Sequence, residues 1–154
     1  STQKQLTYHM MKDDIGTSAP VFIGLNEADA ESATIGNKNL PILAPVAGKL
    51  LKIFVRSGEN MSASGHDTNL TWRLYTRSLG VAVTGNASII GTKVVAGNTT
   101  QTMHEVDFTD LTTTGASGTN VIAAGDKVQI SVQSDASSDE QLWFITCLWE
   151  WNLS

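Results

Sequence analysis

A chain of 154 residues with one cysteine and a formal net charge of -5 is long enough for one domain with a proper core and short for two. The acidic balance, with no run of Lys or Arg, excludes binding by phosphate neutralisation, so no nucleic acid is expected as a partner. Cys147 alone can build neither an intrachain disulfide framework nor a thiolate zinc site, which leaves packing and association to supply stability. No apolar run reaches the roughly 18 residues that a spanning helix needs, and the opening STQKQLTYHMMKDD lacks the apolar core of a secretory signal, so no membrane is expected either.

Residues 1–17 carry no clean period. Leu6, Tyr8, Met10 and Met11 are the sizeable apolar anchors before Asp13, Asp14 and Gly16, which reads as an extended N-terminal arm that docks on a neighbour. Ser1 is what remains when an initiator Met is trimmed ahead of a small residue, and the expectation is a chain that begins here rather than inside a longer fibre. Ala19 to Leu25 reads as a first strand, followed by a polar connection from Asn26 to Asn39 with a short helical turn around Glu27 to Ala33. Pro41 and Pro45 bracket LPILAP, and since proline donates nothing to a ladder, this stretch belongs at an edge.

Lys49 to Arg56 alternates, with Leu51, Ile53 and Val55 on one side and Leu50, Lys52, Phe54 and Arg56 on the other. Asn69 to Arg77 is the cleanest alternation, setting Leu70, Trp72 and Leu74 inward and Thr71, Arg73, Tyr75 and Arg77 outward. Gly80 to Thr84 and Ala87 to Val95 read as weaker strands joined at Gly85-Asn86, a turn pair that tolerates positive φ. Gln101 to Phe108 and Lys127 to Gln133 alternate again, the latter entered through the Ala124-Gly125-Asp126 turn.

The last strand, Gln141 to Trp151, is apolar on both sides. Trp143, Ile145, Cys147, Trp149 and Trp151 point one way, and Leu142, Phe144 and Leu148 the other. One side fills a core. Leaving the second side wet forfeits roughly 1.5–3 kcal/mol per large apolar side chain, so Leu142, Phe144 and Leu148 are the candidate oligomer interface, covered by another copy of the chain. Short strands every ten to fifteen residues without a long amphipathic helix predict an all-β fold: an antiparallel jelly-roll sandwich of about eight strands over residues 18–154.

No reaction centre emerges. His9, His66 and His104 are isolated, without the spacing of a metal site, and His66-Asp67 beside Ser62 and Ser64 lacks a nucleophile elbow. The carboxylates Asp13-Asp14, Asp107 with Asp110, and Asp135 with Asp139 and Glu140 match no calcium loop. Gly115-Ala116-Ser117-Gly118 has no following Lys or helix to cradle phosphate. The expectation is a protein that is not an enzyme and carries no cofactor. A mixed basic and aromatic patch remains as the candidate partner-contact surface: Phe54 and Arg56 on one strand with Arg73, Tyr75 and Arg77 on another, provided that the two strands pair.

ILAPVAGKLLKIFVRS (Ile42 to Ser57), AAGDKVQISV (Ala123 to Val132) and the terminal WFITCLWEW together resemble small jelly-roll proteins of tailed-phage virions. In those chains an apolar-Ala-Pro-x-x-Gly-x-Leu strand opens the sandwich and an Ala-Gly-Asp turn precedes a late strand, a turn shared with trimeric tumour-necrosis-factor-like domains. The resemblance covers about residues 40–151. It implies a structural protein on the capsid exterior of the virion, commonly a homotrimer. The role implied is decoration (cement) of the head, with the major capsid protein and other copies of itself as partners. The alternative it implies is the receptor-binding knob of a tail or head fibre that takes a host surface glycan.

Overall fold

The computed structural model describes residues 1–13, 15, 19–24, 42–58, 69–83, 86–97, 102–111, 117–136 and 141–154. Over these the chain is an antiparallel β-sandwich. Eleven strands take part: β1 (Thr2–Asp13), β2 (Val21–Phe22), β3 (Ile42–Leu43), β4 (Gly48–Ser57), β5 (Asn69–Arg77), β6 (Ile89–Ala96), β7 (His104–Asp107), β8 (Ser117–Gly118), β9 (Val121–Ile122), β10 (Lys127–Ser134) and β11 (Gln141–Asn152). Four of them have only two residues, which accounts for the count exceeding the eight expected. The first sheet runs β1-β11-β4-β7, with β9 beside β4. The second runs β2-β10-β5-β6-β8, with β3 beside β10.

The core lies between the sheets. From the first, β11 contributes Trp143, Ile145, Cys147 and Trp149, and β4 contributes Leu50, Ile53 and Val55; from the second, β5 contributes Leu70, Trp72 and Leu74, and β10 contributes Val128, Ile130 and Val132. All are buried, as period-two alternation over a half-buried sheet dictates. The β4 pattern departs from simple alternation at Leu51, where the register against β11 shifts opposite Leu148 and Trp149. This bulge lets both Leu50 and Ile53 reach the core.

Two segments of the resemblance meet here. Ala44 N–H donates to the carbonyl of Asp126 (2.8 Å), and Gly125 N–H donates to the carbonyl of Ala44 (2.9 Å). Gly125 sits at φ +80°, the left-handed conformation that such a turn requires. Gly48 is packed so closely that a Cβ would lie 2.3 Å from the carbonyl oxygen of Glu150 and 2.4 Å from the Trp151 ring.

Two further sequence expectations change. Residues 2–13 are strand β1, paired with β11 over its whole length from Thr2↔Asn152 to Asp13↔Gln141, and Met11 is in the core. The strand expected at 80–84 is absent over 80–83, where the chain turns instead; Ser88 closes a 3-10 turn, Asn86–Ser88, that leads into β6. The helical turn at 27–33, the His66-Asp67 pair with Ser62 and Ser64, and the carboxylates at 14, 139 and 140 lie outside the described residues.

Candidate assembly surface

Because β11 lies between β1 and β4, its second side becomes the middle of an outward-facing sheet surface. The register sorts that surface into rows. Leu6, Leu148, Lys52 and Asp107 form one; Tyr8, Thr146, Phe54 and Glu105 the next; Met10, Phe144 and Arg56 the third. Lys4 and Glu150 lie beyond the first row, Lys12 and Leu142 beyond the third. The β1 and β11 columns are thus mainly apolar, and the β4 and β7 columns mainly charged.

Among the described residues, nothing encloses this apolar half. Leu6 is 46% exposed, Tyr8 74%, Met10 60%, Leu142 42% and Phe144 38%, while Leu148 and Phe54 are half-buried. A contiguous open cluster of large apolar side chains on a folded domain marks a contact surface. Its charged flank is internally compensated. Lys52 is ion-paired with Glu105, which raises the ammonium pKa above its usual value, and Arg56 stacks over the Phe144 ring at 5.6 Å. Asp107 accepts hydrogen bonds from the hydroxyl and the backbone N–H of Thr109, and these lower its carboxyl pKa.

Underneath, β1 is fastened to β11 by side chains. Trp149 Nε1–H donates to Thr7 Oγ1 (2.8 Å) and Trp151 Nε1–H to Gln5 Oε1 (2.7 Å), satisfying two indoles that the core would otherwise leave unpaired. The two Trp rings stack with centroids 5.7 Å apart. Cys147, opposite Thr7, is a buried free thiol whose pKa burial pushes up to about 12, which makes it an inert apolar filler rather than a nucleophile. His9 bonds to Thr7 Oγ1 (2.9 Å), and burial holds its pKa below the usual imidazole value.

The structure brings together three groups of residues that the sequence listed apart: Leu6, Tyr8 and Met10 of the expected arm, Leu142, Phe144 and Leu148 of the last strand, and Phe54 and Arg56 of β4. It separates Arg73, Tyr75 and Arg77 from them. Those three belong to β5 in the second sheet, so the expected patch spanning both strands does not form. Tyr75, expected outside, is buried against Phe22 (centroids 5.1 Å apart) and shares a hydrogen bond with Ser131 Oγ (2.8 Å). Arg73 donates to Gln133 Oε1 (2.9 Å), and Arg77 to Ser88 Oγ and to the Ala87 carbonyl; these side chains brace their own sheet.

Among the described residues no group of three or more His, Cys, Asp or Glu is placed to hold a metal ion, and no helix is long and apolar enough to cross a membrane. Asp110 pairs with Lys93, and Asp135 takes the backbone N–H and the side-chain amide of Asn69 (3.1 and 3.2 Å). A groove of about 280 Å³ opens at the β1 edge, lined by Gln3, Lys4, Gln5, Pro45, Val46, Trp151 and Leu153. Sequence reasoning missed it, since its lining comes from three distant segments.

No family model and no curated protein matches the chain. Among solved structures it is similar to a chain of the infectious bursal disease virus Gx strain, with TM-score 0.45 and 12% identity, over 97% of this chain and 31% of that one. It is also similar to a chain of the Gt strain of that virus (TM-score 0.42, 13% identity, 97% and 32% covered). A third likeness is to a chain of the empty head of turnip yellow mosaic virus (TM-score 0.33, 9% identity, 99% and 82% covered). These neighbours are viral capsid proteins with jelly-roll-like folds. The chain spans about a third of the length of the bursal-disease-virus chains.

Proposed function

We propose that this chain is a structural protein of a tailed-phage virion, a decoration protein on the capsid exterior that acts by surface association and not by chemistry. The observation that carries this reading is the open apolar half of the first sheet, centred on Tyr8, Met10, Leu142 and Phe144, over a core that is otherwise closed. The direct contact of Ala44 with the Ala-Gly-Asp turn supports it further, because it gives the phage-like motif pair a common structural purpose. The partners are other copies of the chain and the major capsid protein; many weak contacts on one particle add to a strong grip. Counting copies on purified particles tests the reading: on the order of hundreds per particle agrees with a capsid coat, and a few dozen or fewer overturns it.

The groove at the β1 edge favours a second reading, a glycan-binding fibre knob. Amide side chains of Gln3 and Gln5 beside the Trp151 indole are a lining of apolar wall and few polar groups that small ligands use. Screening the protein against host surface glycans decides. A sugar preference that Gln3→Ala abolishes selects the knob, and no binding to any sugar eliminates it.

A further inference from the structure

We infer that the β1/β11 half of the first sheet pairs face to face with the same half of a second copy, about a two-fold axis that runs parallel to the strands between β1 and β11. This deepens the assembly reading above by naming the occupant of the open face. The argument is one of matching. Such an axis keeps every residue at its height along the strands and places β1 of one copy over β11 of the other. Leu6 then lies over Leu148, Tyr8 over Thr146 and Met10 over Phe144, because these are register partners within each chain.

Charge selects this axis over the alternative. Lys4 and Glu150 are also register partners, so the strand-parallel axis sets Lys4 of each copy over Glu150 of the other, opposite charges at the rim of an apolar centre. Aligned sheets cross at about 30°, which carries the Lys4 row only ~7 Å off register at ~3.4 Å per residue, within reach of a lysine side chain. An axis running across the strands through the Tyr8 and Phe54 row, the centre of the face, would instead stack Lys4 on Lys12 and Lys52 on Arg56, like on like. The Lys52–Glu105 pair and the β7 column stay outside the contact and remain hydrated under the first arrangement alone, while Arg56, stacked over the Phe144 ring, borders it.

A face that matches itself selects a two-fold pair. The three-fold ring implied by the resemblance would have to set this face against a different surface of the neighbouring copy. The contact is small: two 12-residue strands about 4.8 Å apart make a band on the order of 10 by 40 Å, about half of the ~800 Å² per partner of a stable complex. The pair is therefore weak in free solution and is reinforced where copies are held close together on a surface.

Sedimentation equilibrium of the whole chain from about 10 μM to 1 mM should show a monomer–dimer equilibrium that Met10→Glu weakens at least tenfold, with unfolding by denaturant unchanged. A monomer throughout overturns the inference. So does a trimer, or a dimer indifferent to Met10→Glu. The axis is tested by mixing two variants, each with one surface cysteine added to the chain's buried, unreactive Cys147, and adding a bis-maleimide spanning the ~10 Å between stacked sheets. Leu6→Cys with Leu148→Cys should cross-link between chains, whereas cross-linking of Leu6→Cys with Met10→Cys instead indicates the other axis and overturns this one. Binding of the chain to capsids, measured separately, fails or succeeds independently of the pair, so loss of the virion reading and loss of the dimer are told apart.

Discussion

Trp149 donates its indole N–H to the hydroxyl of Thr7 at 2.8 Å, across 142 positions of sequence. This bond ties the first strand to the last and turns the inward side of β1 into the polar complement of two tryptophans. Its counterpart, Trp151 to Gln5, repeats the device one step along.

Breaking that bond by Thr7→Val leaves a buried indole N–H unpaired, at a cost of about 1–3 kcal/mol. A double-mutant cycle of Thr7→Val with Trp149→Phe, read by urea unfolding, should return a coupling of about 1 kcal/mol. The same cycle with Trp143→Phe should return close to none, since the Trp143 indole N–H has no acceptor among the described residues.

Gly48→Ala drives a methyl group into the Glu150 carbonyl and the Trp151 ring, where backbone and a buried indole give little. A loss of about 3 kcal/mol, at the upper end for overpacking, is expected in equilibrium unfolding. Gly125→Ala meets nothing within 4 Å and carries only the left-handed backbone cost of about 1–2 kcal/mol. Equal losses at both positions would refute the close approach at Gly48.

The Cys147 thiol, raised from 9.0 to about 12, stays neutral in the folded chain at pH values that ionise it in the unfolded one. Its contribution is fully present below pH 9 and is lost as pH rises from 9 toward 12, with a slope of about 1.4 kcal/mol per pH unit. Stability measured across that window should fall less steeply in Cys147→Ala. At pH 8 the native protein should resist a thiol reagent that labels it promptly in denaturant.

His9 has its pKa lowered by burial, so the folded state favours neutral imidazole. That preference is intact above pH 6.5 and costs stability progressively as pH falls below it. His9→Gln should flatten the acid limb of the stability curve in this range, as read by thermal melts at pH 7 and pH 5.

Tyr75 is a core residue of the second sheet, not a contact residue. Tyr75→Ala should cost about 3–5 kcal/mol of stability while leaving the association of the remaining folded protein unchanged. Leu142→Lys, on the open face, should reverse the pattern, with stability within about 0.5 kcal/mol and association lost.

Most strands were legible because alternation is a local signal. Asn69–Arg77 lies where the pattern set it, and β4, β10 and β11 differ by a residue or so at their ends. Strand β1 escaped because its alternation is inverted. Leu6, Tyr8 and Met10 face out, and Gln5 and Thr7 face in, where the indoles need acceptors; an apolar-in template finds nothing there. The contact patch failed for another reason. Arg56 and Arg73 each occupy an outward position on a good strand, but alternation says nothing about which strands are neighbours.

The sequence by itself determined an all-β chain with a last strand apolar on both sides, because side-chain periodicity depends only on the residues of each strand. The tertiary structure decided that β11 lies inside its sheet, between β1 and β4. It also decided that the outward apolar residues of the first and last strands merge into one surface. Those outcomes depend on hydrogen-bonded pairing between segments at opposite ends of the chain, selected by the joint burial of both partners, which no single stretch encodes.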